Sequence, residues 1–197
     1  VLPGILETFR QRHPGVDVAI KTGRSTEVLD WVLSEEIQVG VARALYHPEV
    51  STTMLYDEQI VLATHPSHAF ALAGVASIHE VASEPLIVYD KESTYFVLID
   101  RVCREAGISP NIQMDLDSIE STKRMIERGL GISFLPLNAL KREIELGTLA
   151  RVPLTDDYRI TLPTAVMVRK AATYGTIVTA FLNLLAELYQ SEQVAAS

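Results

Sequence analysis

The 197-residue sequence predicts an α/β fold, on three observations. Apolar runs with strand character alternate with stretches whose apolar residues recur at helical spacing. The connections between them are short. With 48% apolar and 21% charged residues, a chain of this length buries roughly 70% of its unfolded surface and needs no metal or disulfide for stability. Parallel neighbouring strands require a crossover, and each intervening helix supplies one.

The elements follow in order. Pro3 to Arg12 sets Leu2, Ile5, Leu6 and Phe9 at helical spacing, with the proline in the first turn and Pro14-Gly15 closing the helix. No N-cap is visible ahead of it, so a strand leading into this helix is expected upstream of Val1. Val16 to Thr22 reads as a strand. Gly23 to Glu27 turns it into a second helix, with Ser25 as N-cap and Val28, Leu29, Val32 and Leu33 as its apolar stripe. Gln38 to Ala42 is the next strand. A strand at Gln59 to Thr64, a turn at His65-Pro66-Ser67-His68, a helical piece at Ile78 to Ala82 and a strand at Leu86 to Tyr89 come after it. Tyr95 to Glu105 is a helix stopped by Gly107 and Pro110, and Ile112, Met114 and Leu116 alternate as a strand. Asp117 and Glu120 form a capping pair for a helix reaching Arg128, which Gly129 ends. Ile132 to Leu135 is a strand, Leu137 to Leu146 a helix, Leu149 to Leu154 extended, Ala165 to Val168 a strand, and Thr176 to Gln190 a closing amphipathic helix.

Charge and motifs narrow the function. Seventeen basic against 25 acidic residues leave a formal charge of -8 with no basic block, which repels nucleic-acid phosphates. The single cysteine, Cys103, has no internal partner and fits a reducing compartment, so the cytoplasm is expected. No stretch approaches the roughly 18 unbroken apolar residues of a membrane span, and no signal segment is legible. Gly-x-Ser-x-Gly, phosphate-loop and His-Glu-x-x-His patterns are absent. His65 and His68 flank a proline turn without an accompanying carboxylate or cysteine, and Gly129-x-Gly131 follows a helix rather than a strand. Neither a metal nor a cofactor is expected, and no catalytic residue is assigned.

Polar residues at strand-to-helix turns remain, the places where open α/β sheets bind ligands. Ser25-Thr26, Ser93-Thr94 and Asp117-Ser118 each occupy such a turn, where unpaired backbone N–H groups hold anions and hydroxyls add donors. Taken alone, each pair reads first as an ordinary N-cap, and it is their recurrence that raises the binding-site reading. Arg43, just past a strand, suits either a ligand carboxylate or a structural ion pair. Trp31 lies roughly 130° from the apolar stripe of its helix, facing a partner chain or a loop of its own.

Taken in order, Leu2-Pro3 with Leu6, Phe9 and Pro14-Gly15-Val16, then Gly23, His65-Pro66, Gly129-Leu130-Gly131-Ile132 with Leu135-Pro136, and Gly147-Thr148-Leu149 resemble the effector-binding domain of LysR-type transcriptional regulators over nearly the whole chain. The resemblance implies two Rossmann-like α/β subdomains of the periplasmic binding protein type 2 kind, joined by two crossing strands. Residues 1–66 with 167–197 form the first and 67–166 the second. It implies a small, anionic effector in the cleft, lined by Ser25, Thr26, Arg43, Ser93, Thr94, Tyr95, Ser118, Phe134 and Pro136. It also implies a homodimer or homotetramer in which the helix of Trp31 meets that of Met125 in a second chain. The winged helix-turn-helix of family members and their first strand are absent from this sequence, so DNA contact is expected only through a further N-terminal domain. Ser67-His68 after His-Pro and Ile37-Gln38 before the strand depart from the family's usual residues, outside the expected pocket. A transporter's solute-binding protein or an enzyme on the same two-lobed fold is the alternative.

Overall fold

The computed structural model describes residues 2–91, 93–155, 158–170 and 174–195. Among them are eight helices and seven strands, and the chain divides into two compact units, Val1–Asp57 with Pro163–Ser197 and Glu58–Leu162. The boundaries fall at 57/58 and 162/163, whereas the sequence reading placed them at 66/67 and 166/167. They lie inside two long strands, β2 (Val50–Thr64) and β7 (Ile160–Arg169), each of which runs from one unit into the other.

In the first unit, helix α1 (Leu2–Arg12) packs Ile5 and Phe9 against Leu184, Leu185 and Tyr189 of the closing helix α8 (Thr176–Ala195). The ring of Phe9 meets Phe181 edge-on at 5.0 Å. Strand β1 (Gly40–Arg43) pairs antiparallel with β7, Gly40 opposite Met167 and Arg43 opposite Thr164. Helix α2 (Ser25–Leu33) lies on β1, and its Val28 and Val32 join Val50 and Met167 in a second cluster. Gly40 makes that approach possible, because a Cβ there would stand 2.7 Å from Val28 and 3.0 Å from Val32. Any larger residue would lift the helix off the strand.

The second unit has its own core. Strands β3 (Leu86–Tyr89) and β4 (Ile112–Leu116) pair in parallel, with Tyr89 opposite Leu116. Helices α3 (Ala69–Ala73), α4 (Ile78–Ser83) and α5 (Thr94–Glu105) contribute Phe70, Ile78, Val81, Ile99 and Val102 to the larger of its two clusters. Strands β5 (Ser133–Pro136) and β6 (Ala150–Val152) both pair antiparallel with β2. Among the described residues the parallel pairing expected from the alternation is limited to β3 with β4 and to isolated bridges of Leu86 with Ile132 and of Ala76 with Leu154, since the long strands pair antiparallel with their neighbours.

Helix α6 (Ile119–Glu127) is tied to α7 (Leu137–Glu145) by a buried cation. The Lys123 ammonium donates to Glu143 Oε1 at 2.9 Å and to the Ala139 carbonyl at 3.2 Å, and Glu120 lies 2.6 Å away on the exposed side. Burial works against this ammonium, but its hydrogen bonds to Glu120 and Glu143 outweigh the penalty and hold its pKa above the ordinary lysine value. Burial likewise works against the Glu143 carboxylate, and the Lys123 hydrogen bond prevails, drawing its pKa below the usual value. Glu58, also buried, accepts from the backbone N–H and the side-chain amide of Asn138 at 3.2 and 2.7 Å, closing the start of α7.

Several expectations are corrected. Val16 to Thr22 is extended but pairs with no strand among the described residues, and Val18 and Ile20 are left 41% and 59% exposed. Strand character needs a neighbour as well as a pattern. Arg24, not Ser25, precedes α2 as its cap, and the Glu27 carboxylate accepts the Arg24 backbone N–H at 2.7 Å. Ser118, not Asp117, caps α6. The single-turn helix α3 went unread; the His68 ring caps it and Gly74, at φ 75°, ends it.

Candidate functional site

The first unit places Arg43 at the end of β1, one residue before Ala44 donates its backbone N–H to the Pro163 carbonyl at 2.8 Å. The side chain is half-buried, and its Nε is sealed from solvent without a hydrogen-bond partner among the described residues. Only Glu143 Oε2 shares that condition there. Leaving a buried donor of a charged group unmade costs more than the roughly 1 to 3 kcal/mol of a neutral one, and among the described residues the Arg43 Nε is such a donor. It forms no ion pair within the described residues, and the structural salt bridge weighed from the sequence is not there.

Ser25 and Thr26 are the first two residues of α2. Their backbone N–H groups find no intrahelical acceptor, as geometry requires at any helix start, and they carry the positive end of the helix dipole. Ser25 is half-buried and Thr26 exposed. Because α2 packs on β1 through Gly40, the helix start and Arg43 belong to one strand-helix pair of this unit.

In the second unit, α5 and α6 both begin where the paired strands β3 and β4 end. Asp90 donates its backbone N–H to the Leu116 carbonyl at 2.8 Å, which sets the two turns side by side. Asp90 itself adopts φ 45°, a left-handed conformation that aspartate tolerates better than most residues, and Ser93 donates its backbone N–H to the Asp90 carbonyl at 2.8 Å. The sequence reading missed Asp90; an aspartate directly after an apolar strand was the available signal.

The hydroxyls of these turns are committed locally. Ser93 Oγ accepts from Phe96 N and donates to the Tyr89 carbonyl, both at 3.2 Å, and Ser118 Oγ accepts from Ser121 N at 3.3 Å. The Thr94 side chain lies outside the described residues. Tyr95 and Phe134 do come together, beside Tyr89 and Ile99, around a recess of about 20 Å³, room for a single water. The Tyr89 and Tyr95 rings meet edge-on at 6.0 Å. Phe134 and Pro136 are buried on β5, opposite Leu62 and Ile60.

Trp31 does not turn away from its own chain. It is half-buried, and its ring covers Gly23, where an added Cβ would collide with the indole. The Lys21 ammonium sits 4.0 Å from the ring centroid. Gly23, having no side chain, leaves on the neighbouring loop the space that the indole fills. Met125 is half-buried too, packed on the cluster of Ile87, Ile126 and Leu140. His65 and His68 spend their Nδ1 atoms on Ser67 and on the Phe70 N–H, and no metal-holding group of three or more His, Cys, Asp or Glu residues occurs among the described residues. None of the described helices is long and apolar enough to cross a membrane.

A family model, the LysR substrate binding domain, matches residues 1–190. The chain belongs to this family. It is 25% identical over 190 residues to the HTH-type transcriptional regulator GltR of Bacillus subtilis (strain 168), covering 96% of this chain and 62% of GltR. The chain spans about half to two thirds of the length of the curated relatives it matches. The CcmR regulatory domain of Synechocystis PCC6803, solved in complex with 2-PG, superposes with a TM-score of 0.86 at 20% identity over 95% of this chain and 90% of that one. The BenM effector binding domain, solved with its effector benzoate, gives 0.81 at 21% identity over 98% and 87%. At these identities the structural likeness establishes the two-lobed periplasmic binding protein type 2-like fold.

Proposed function

We propose that this LysR substrate-binding domain senses a small organic anion, and that Arg43 and the start of α2 hold its charged end. The carrying observation is the Arg43 Nε, sealed from solvent and without a partner among the described residues. A carboxylate supplies the acceptor it lacks, through charge-assisted hydrogen bonds stronger than neutral ones. The Ser25 and Thr26 N–H groups and hydroxyls extend the same acceptor-seeking surface. Benzoate, the effector in the BenM structure, has that chemistry.

Micromolar to millimolar affinity, about 4 to 8 kcal/mol, suffices for such a sensor. A coupling of about 1 to 3 kcal/mol then biases the domain's conformational equilibrium usefully. In the parent regulator a helix-turn-helix segment outside this sequence reads that bias on DNA, and the regulator works as a homo-oligomer in the cytoplasm, where the buried Cys103 thiol stays reduced. GltR is a transcriptional regulator, and nothing in the described residues assembles a nucleophile, base and oxyanion donors, so we assign no enzymatic step.

A melting screen against small carboxylates, benzoate included, tests this reading. A ligand at 100 times its Kd adds about 2.7 kcal/mol of stability, or roughly 5 to 10 °C in Tm for a chain of this length. Arg43→Gln is expected to cut the shift to about half or less. A carboxylate that stabilises the Arg43→Gln variant as much as the wild type would overturn the assignment.

A further inference from the structure

Helix α2 carries the chain's single tryptophan, Trp31, four residues after Glu27 on the same face. Helical side chains lean toward the N-terminus, so both reach back toward the turn that precedes the helix. Gly23 sits where they arrive: a Cβ there would stand 3.0 Å from Glu27 Oε2 and 3.1 Å from Trp31 Cζ3, and would collide with Trp31 Cη2. Gly23 is not among the residues of positive φ, so its missing side chain serves space rather than backbone freedom. The same turn is gripped twice more. The Lys21 ammonium lies 4.0 Å from the indole centroid and pairs with Glu36 beyond the end of α2, and the Glu27 carboxylate accepts the Arg24 backbone N–H at 2.7 Å. The indole also packs on the cluster of Val28, Val32, Val50 and Met167, which Ala42 of β1, the neighbour of Arg43, joins as well.

We propose that Trp31 is the positioning residue of the anion site: its ring fixes the turn 21–24, and with it the first N–H groups of α2, relative to Arg43 on β1. This inference rests on the reading that Arg43 and the start of α2 hold the anion. The indole is assigned no contact with that anion and acts through the turn and the helix. The need for such a residue is visible in the sequence. Helix ends fray, and Arg24, the residue ahead of α2, is not one of those favoured as a cap. The N–H groups of Ser25 and Thr26 can bind an anion only while the first turn of α2 keeps its shape. An indole seated on a glycine, covered by a cation and packed on the cluster that reaches β1, holds that shape without adding a charge that would repel the anion. Because no other tryptophan is present, its emission reports on this turn alone.

Calorimetric and fluorescence titrations with sodium benzoate, succinate and citrate test it on the wild type and on variants at Trp31, Gly23 and Arg43. The indole emission of the wild type is expected to change in a saturable manner, with the Kd that calorimetry gives. Trp31→Ala is expected to raise that Kd at least about 10-fold, as for a turn that keeps its binding shape about a tenth of the time, while Trp31→Phe, which keeps a ring beside Gly23, stays within about 3-fold of the wild type. Gly23→Ala displaces the indole without removing core volume. It is expected to weaken binding as Trp31→Ala does, and it decides the matter should Trp31→Ala fail to fold. Wild-type affinity in Gly23→Ala or in a folded Trp31→Ala, a Trp31→Phe as weak as Trp31→Ala, or binding that leaves the indole emission unchanged overturns the proposal while the Arg43 reading stands. Unchanged affinity in Arg43→Gln, or no binding of any of the three anions to the wild type, overturns that reading and this one with it.

Discussion

Replacing Lys123 by methionine removes the cation that α6 and α7 share while keeping a side chain of similar length. The Lys123 side chain is 8% exposed and that of Glu143 14%, so the substitution leaves a largely buried carboxylate without the cation it is hydrogen-bonded to. One of its oxygens, Oε2, already lacks a hydrogen-bond partner among the described residues. Breaking a buried pair from one side costs about 3 to 5 kcal/mol, equivalent to a fall of about 6 to 20 °C in Tm for a protein of this size. Glu120, 71% exposed in its side chain, contributes little to that figure. The double variant Lys123→Met, Glu143→Leu removes both charges and is expected to recover most of the loss, so the two single effects do not add. The deficit also depends on pH. In the wild type the Glu143 pKa lies below 4.5, and the stability from its pairing is present at neutral pH and lost as pH falls through that depressed value. In the Lys123→Met variant the carboxylate can escape by taking a proton, and the difference from wild type narrows below about pH 5. Urea unfolding at pH 7 and pH 4 measures all of this. A loss under about 1 kcal/mol, or a double variant as weak as the sum of the singles, would refute the reading that this pair is sealed from water.

Further outcomes follow from the same physics. Gly131→Ala puts a Cβ 2.5 Å from the Pro85 carbonyl, which accepts the Ile132 N–H at 2.9 Å, so the variant is expected to lose about 2 to 4 kcal/mol in urea unfolding. Cys103 is 2% exposed, and burial pushes its thiol pKa up; Ellman's reagent is expected to leave it unmodified in the native protein and to titrate it fully in urea. Gly23→Ala drives the Trp31 ring off its seat, so the indole fluorescence maximum is expected to move to the red while the far-ultraviolet spectrum stays unchanged.

The pattern-based parts of this fold were legible because they carry their own signal. Leu86 to Tyr89 and the alternating Ile112, Met114 and Leu116 form strands where expected, and the helices from α4 to α7 lie within a few residues of their expected bounds. What failed depends on neighbours. Val16 to Thr22 has the composition of a strand, yet no strand among the described residues offers it a ladder. Trp31 was placed by angle on an isolated helix, and the vacancy over Gly23 lies outside that helix. Of the candidate ligand residues, Ser93 and Ser118 are spent on capping and Phe134 and Pro136 are buried, whereas Arg43 stands out only once burial and hydrogen bonding are known. From the sequence alone, an arginine past a strand end reads the same whether or not anything meets it.

That residue also gives the most direct test of the account. Isothermal titration of the wild-type domain and of Arg43→Gln with the best carboxylate from the melting screen compares affinities for one ligand. Loss of a charge-assisted hydrogen bond of about 1.5 to 3 kcal/mol predicts a Kd weakened about 10- to 150-fold. The variant's own melting temperature should not fall, because it also removes an unsatisfied buried donor. An unchanged Kd in a folded Arg43→Gln variant would contradict the claim that Arg43 holds the ligand's charge.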